Sequence, residues 1–178
     1  QSRRIGLLVE QLLEAAKLEA GQVTVNVEPF PIGELLQDVV QKFALAARDC
    51  GVALEVDAMA AATMVSGDIA LLERVLDNLI DNALRHTPIG GRVTVQSQPR
   101  GERVRVSVTD SGPGLTREEA ERAFKRFYRG DPGRSTHSGQ SGLGLAIVKS
   151  ILELHGSDVA VDSQQGHGAS FYFELPIV

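Results

Sequence analysis

At 178 residues and 19.1 kDa, with 43% hydrophobic and 23% charged residues, the chain has a globular composition and is long enough to bury a core without staples. A net charge of −5 weighs against a general nucleic-acid binder, which carries a basic surface, and the single cysteine, Cys50, excludes a disulfide within the chain. No apolar run approaches the roughly 18–20 residues of a membrane span and no signal peptide is visible; a cytoplasmic chain is expected and, from its net charge, one with no nucleic-acid partner.

Residues 2–20 read as an amphipathic helix, with Ile5, Leu8, Leu12 and Ala15 at a 3,4 spacing and Gly21 as its stop. A seam this short does not make a bundle alone, so one helix of a longer hairpin or dimer is expected. Val23, Val25 and Val27 alternate with Thr24, Asn26 and Glu28, which predicts a half-buried strand ended by Pro29 and Pro31. A helix is expected over 32–50, closed by Gly51. A second strand follows at Val52, Leu54 and Val56, then a short strand over 63–65. Asp68 stands where an N-cap would be.

The helix it would cap, 71–88, reads LLERVLDNLIDNALRHTP. Leu72, Val75, Leu76, Leu79, Ile80 and Ala83 give it one apolar side. Asn78 and Asn82 stack one turn apart within it. Asn is a mediocre helix former, because its amide competes for backbone partners. The pair reads either as satisfied polar groups at a core edge or as amide oxygens presented to a cation or phosphate.

A hairpin follows, with strands over 92–98 and 103–109 and a turn at Pro99-Arg100-Gly101. Thr116, with Glu118 and Glu119, starts a helix expected to run to about Tyr128. Residues 129–141 are rich in Gly, Ser and Arg without periodicity and read as a mobile loop. A helix over 142–155 and a hairpin of 159–163 with 169–175 complete the chain. Tight-turn strand pairs interleaved with helices predict an α+β fold. The expected architecture is a two-layer α/β sandwich whose mixed, mostly antiparallel sheet carries helices on one face.

Three glycine clusters follow the asparagine helix. Asp110-Ser111-Gly112-Pro113-Gly114 closes a valine-rich strand; such an Asp can turn its carboxylate into a cavity while glycines let a ligand approach. A carboxylate only accepts hydrogen bonds, which suits an exocyclic amine such as adenine N6. Gly139-Gln140-Ser141-Gly142-Leu143-Gly144 opens a helix, where backbone N–H groups and the helix dipole favour an anion. Gly166-His167-Gly168 reads as a hairpin turn.

In this order the asparagine helix, Asp-x-Gly-x-Gly, a helix with Phe124 and Phe127, Gly-Leu-Gly and Gly-x-Gly resemble the N, G1, F, G2 and G3 boxes of bacterial sensor histidine kinases. That family's catalytic, ATP-binding domain has a Bergerat-type fold and belongs with gyrase-type and chaperone ATPases. The resemblance covers residues 29–178. The stretch RIGLLVEQLLEAAKLEAG looks like the second helix of the dimerisation and phosphoacceptor hairpin. The resemblance thus implies two units, 1–21 and 22–178.

It also implies roles. Asn82 would hold Mg²⁺, Asn78 would lie beside the metal and phosphates, and Arg85 would reach the phosphates of ATP. Asp110 would bind adenine N6, with Gly112 and Gly114 shaping that wall. Gly142, Leu143 and Gly144 would admit the phosphates to the last helix. Arg129 and Arg134 are candidate γ-phosphate contacts on a lid over 129–141, which Phe124 and Phe127 would anchor in the core. His86 stands where the family often has Tyr or Phe, and Ala169 where a Thr commonly follows the third glycine box.

The implied activity is that of a protein-histidine kinase. The γ-phosphoryl group passes to a histidine on the hairpin, then to an aspartate of a response-regulator receiver domain, in a homodimeric parent anchored in the bacterial inner membrane. The alternative is an ATP-gated conformational or ATPase module of the same superfamily, for which Glu73 is the carboxylate that would orient water. A scaffold without catalysis is disfavoured by the intact Asn82, Asp110 and glycine clusters. None of His86, His137, His155 and His167 lies in 2–20, so the chain is expected to lack the acceptor histidine.

Overall fold

The computed structural model describes residues 2–130 and 141–178. Helix α1 (Ser2–Glu19) is followed by β1 (Glu28–Pro31), α2 (Ile32–Asp49), β2 (Ala53–Ala58), β3 (Met64–Gly67) and α3 (Ile69–His86). Then come β4 (Arg92–Arg100), β5 (Arg103–Asp110), α4 (Arg117–Arg122), α5 (Gly144–Leu154), β6 (Ala160–Ser163) and β7 (Ala169–Pro176). The expected two-layer α+β sandwich is present. Its main sheet has the order β2-β4-β5-β7-β6, with β2–β4 parallel and the other pairs antiparallel.

Strict alternation in β4, β5 and β7 gives that sheet one buried face. The register aligns Val93, Asp110 and Ala169 in one row, Val95, Val108 and Phe171 in the next, and Ser97, Val106 and Phe173 in the third. Helices α2, α3 and α5 bring Leu36, Leu72, Leu79, Ile80, Ile147 and Ile151 against this face, all fully buried. Asp110 is thus the polar end of an apolar column. The opposite face is polar. There Arg105 pairs with Glu174 at 2.9 Å and lies 4.2 Å from the Tyr172 ring centre.

Several boundaries differ from the sequence-based expectation. Residues 23–27 form no strand, although Val23 and Val25 are half-buried; the strand lies one step on, over Glu28–Pro31, and includes both prolines. It pairs with β3 alone, so the N–H groups missing from Pro29 and Pro31 can face away from the ladder. Pro99 likewise lies within β4, beyond the end of its pairing with β2, and the turn falls at Gly101-Glu102. Helix α4 ends at Arg122, well short of Tyr128. Phe127 takes a positive φ of 57° and donates its N–H to the Gly142 carbonyl at 2.9 Å, which turns the chain back.

Helix α1 forms as expected, and Gly21 follows it with φ 65°. Ala15 and Leu18 are buried in the common core, whereas Ile5, Leu8 and Leu12 are exposed. Among the described residues no helix is long and apolar enough to cross a membrane.

Candidate functional site

Two adjoining cavities open where α3, the end of β5 and the start of α5 meet. Asn82, His86, Asp110, Gly114, Leu115 and Leu145 line the first, which encloses about 820 Å³ including its open mouth. Glu119, Ala123, Tyr128, Ala169 and Phe171 complete its wall with Pro113 and Gly130. The second, about 540 Å³, is lined by Asn78, Asp81, Asn82 and Arg85 of α3, by Ser141, Gly142, Gly144 and Leu145, by Ala123 and Tyr128, and by Gln11 of α1. Asn82 belongs to both.

The site is built from local chemistry. Asp68 caps α3 by accepting the Leu71 N–H at 3.1 Å, so the asparagine turns start in register. Asn78 donates its nitrogen to the Arg74 carbonyl at 3.0 Å, leaving its oxygen beside Gly144. A Cβ on Gly144 would stand 3.3 Å from that oxygen. Arg85 is held along α3 by Asp81 at 2.9 Å. Gly142 has φ 71°, and a Cβ there would lie 2.7 Å from the Phe127 Cα, so only glycine lets the chain pass.

Asp110 is 6% exposed. Burial pushes its carboxyl above the usual carboxylate range, while the Gly112 N–H, the nearby His86 and the Ala169 N–H pull it back. The Gly112 N–H donates to Oδ1 at 2.8 Å. A Cβ on Gly112 would meet the His86 carbonyl at 2.5 Å and that Oδ1 at 2.8 Å. Gly114, at φ 68°, passes against the Gln164 carbonyl. The glycines therefore hold a buried carboxylate open to the first cavity and fix one of its oxygens.

Of the residues singled out from sequence, Asn78, Asn82, Arg85, His86, Asp110, Gly114, Gly142 and Gly144 line the two cavities. Gly112 supports Asp110 from behind. Leu143 is 1% exposed within the core and lines neither cavity. Arg129 is exposed and lines neither cavity. Arg134, with residues 131–140 of the expected lid, lies outside the described residues. Phe124 packs edge-on to Phe171 at 6.0 Å, as anticipated, but Phe127 is 62% exposed and anchors nothing in the core. Glu73 lines neither cavity and pairs with Lys42 at 2.9 Å.

Sequence reasoning missed Tyr128, which lines both cavities, and Gln11, Asp81, Glu119 and Ser141. Asp81 had a signal, since it neighbours Asn82 and stands four before Arg85 on the same helix. Gln11 and Tyr128 had none, because the tertiary fold alone brings them there.

Comparison with known proteins accounts for this arrangement. Residues 67–178 match the family described as histidine kinase-, DNA gyrase B- and HSP90-like ATPase. The chain is 34% identical over 176 residues to the sensor-like histidine kinase SenX3 of Mycobacterium tuberculosis, covering 99% of this chain and 43% of that protein. Full-length ShkA in complex with AMPPNP superposes with a TM-score of 0.84 and 30% identity, over 96% of this chain and 35% of that one. Histidine kinase ThkA in complex with the response regulator protein TrrA gives 0.79 and 26%, over 99% and 48%. The chain therefore spans less than half the length of these relatives. It belongs to the histidine kinase-, DNA gyrase B- and HSP90-like ATPase family, and within it is the ATP-binding catalytic domain of a sensor histidine kinase.

Proposed function

We propose that the chain binds Mg²⁺·ATP with adenine in the first cavity and the phosphates in the second, and presents the γ-phosphoryl group to a histidine on a helical hairpin. The observation that carries this reading is the position of Asn82 on the wall common to both cavities. A ligand reaching from Asp110 to Arg85 must pass it, so adenine, ribose and phosphates fall in order along the site.

Asp110 accepts from the adenine amino group. Arg85 and the N–H groups at the start of α5 face the anionic chain, where the helix dipole adds to their attraction. Among the described residues no three His, Cys, Asp or Glu side chains cluster as a metal cage. The amide oxygen that Asn78 presents beside Gly144 suits Mg²⁺, which takes one or two protein oxygens and completes its shell with phosphates and water. Asn82 would supply an amide oxygen, with Asn78 beside it. The metal, when bound, neutralises charge on the phosphates. The protein's share of phosphoryl transfer is positioning and charge stabilisation.

Residues 1–21 then form a helix of the dimerisation and phosphoacceptor unit, and 22–178 the catalytic unit. The exposed Ile5, Leu8 and Leu12 support a further helix against α1 in a homodimeric parent. The relay partner is a response-regulator receiver domain, supported by the ThkA–TrrA likeness. Anchoring of a longer parent in the inner membrane is inferred from the resemblance to sensor kinases. The water-activating role weighed for Glu73 has no support, since that carboxylate is tied to Lys42 away from both cavities.

Titration calorimetry tests the reading. Asn82→Ala should abolish the Mg²⁺ dependence of ATP binding and leave adenosine binding in place. Asp110→Asn should lose adenosine, because its oxygen stays on the Gly112 N–H and its NH₂ then faces the ligand's own donor. Parent-like Mg²⁺·ATP binding by both variants would refute the assignment.

A further inference from the structure

We propose that Gln11 of α1 is a phosphate-binding residue of the site, and that nucleotide therefore holds α1 in its seat. The inference rests on the nucleotide reading above and extends it to a helix outside the matched family region.

Gln11 is half-buried and lines the second cavity with Asn78, Asn82, Arg85, Gly142 and Gly144. Its Oε1 accepts from the Ser141 hydroxyl at 2.7 Å, and the same oxygen of Ser141 accepts the Leu143 N–H at 3.2 Å. With the carbonyl end engaged and no partner for Nε2 among the described residues, the two N–H bonds of Nε2 are the end left for a ligand. Asn78 is arranged the opposite way. Its nitrogen is engaged by the Arg74 carbonyl and its oxygen is presented. One amide thus offers an acceptor suited to a cation, and the other offers donors suited to a phosphate oxygen.

The other ties of α1 reach the frame of the same cavity. Glu14 makes a two-pronged pair with Arg74 at 3.1 and 2.8 Å, one turn before Asn78. Glu19 pairs with Arg126, two residues before Tyr128. Ala15 and Leu18 supply the buried contact beneath. Any phosphate group that engages Gln11 adds a bond between α1 and the catalytic unit. By reciprocity, the seating of α1 then raises affinity for that phosphate.

The test compares adenosine with Mg²⁺·AMP-PNP by calorimetry and follows backbone hydrogen exchange in α1. Gln11→Ala should weaken AMP-PNP by about tenfold, the scale of a hydrogen bond to a charged group. Gln11→Glu should weaken it further by placing a carboxylate against the phosphates. Neither should change adenosine. AMP-PNP should slow exchange in α1 of the parent and not of Gln11→Ala. Glu14→Ala removes a tie outside the cavity; a loss there as large as in Gln11→Glu would replace direct contact by seating alone and overturn the proposal. AMP-PNP affinity within twofold of the parent in both Gln11 variants would also overturn it while leaving the nucleotide reading intact. Failure of the parent itself to bind AMP-PNP would instead overturn that reading and the proposal together.

Discussion

The Asp110 carboxyl ends a column of buried valines and phenylalanines, and burial raises it above the ordinary carboxylate range against the pull of the Gly112 N–H, His86 and the Ala169 N–H. Recognition of an amino group needs the ionised form. As pH falls through the raised value the carboxyl gains a proton and no longer matches a donor. Affinity for adenosine, which has no phosphate to titrate, should therefore fall on acidification, beginning at a pH above the usual carboxylate range. Binding in that window should release protons. Stability of the ligand-free protein runs the other way. The native carboxyl holds its proton more tightly than the unfolded one, so its contribution is fully present below the ordinary carboxylate value. That contribution is lost as pH rises through the raised value. Calorimetry in buffers of different ionisation enthalpy reads the proton release. Level affinity across the acid range with no proton uptake or release would remove Asp110 from recognition.

At the scale of elements, Asp68 joins three parts of the chain. Its Oδ1 caps α3 at the Leu71 N–H, its Oδ2 accepts the Asn26 N–H at 2.8 Å, and its own N–H donates to His155 Nε2 at 3.0 Å. His155 Nδ1 meets the Ile151 carbonyl at 2.8 Å, so one neutral tautomer satisfies both ends of the ring. Asp68→Ala removes a cap and strands the Asn26 N–H, which should cost about 2 kcal/mol. For a chain of this size that lowers Tm by about 4–8 °C. Urea unfolding would measure it; a loss below about 0.5 kcal/mol would mean solvent replaces both bonds. The cap was legible in the sequence because capping is local. The strand after α1 lies beyond the stretch that its alternation predicts, because pairing is not local. Val23 and Val25 carry the burial alternation of a strand, but pairing is settled by β3, which reaches Glu28–Pro31 and bridges Val65 to Ile177. Helix α4 is shorter than its sequence predicts, and nothing in that sequence announces the positive φ of Phe127.

At the scale of the molecule, the site was legible where one segment carries several of its groups: Asn78, Asn82 and Arg85 on one helix, Asp110 with its glycines, Gly142 with Gly144. It was opaque where a single residue arrives from afar, as Gln11 and Tyr128 do. The same placement bears on where phosphate can go. His86 lines the first cavity with Asp110 and does not line the second, which its neighbour Arg85 lines. His155 has both ring nitrogens engaged. His167 is exposed between β6 and β7, and it lines neither cavity. His137 lies outside the described residues. Transfer needs an acceptor nitrogen about 3–3.5 Å from the γ-phosphorus and in line with the leaving oxygen, and none of the three described histidines lines the second cavity, where the phosphates are proposed to sit. The chain should therefore bind ATP without phosphorylating itself. It should label a separately supplied phosphoacceptor hairpin weakly, because a hairpin added in trans is not tethered to it. Incubation with γ-labelled ATP and separation under alkaline conditions, which preserve phosphohistidine, decides the matter. Stoichiometric acid-labile label on the chain alone would overturn the expectation, and mapping it to His137 would place that residue within reach of the phosphates.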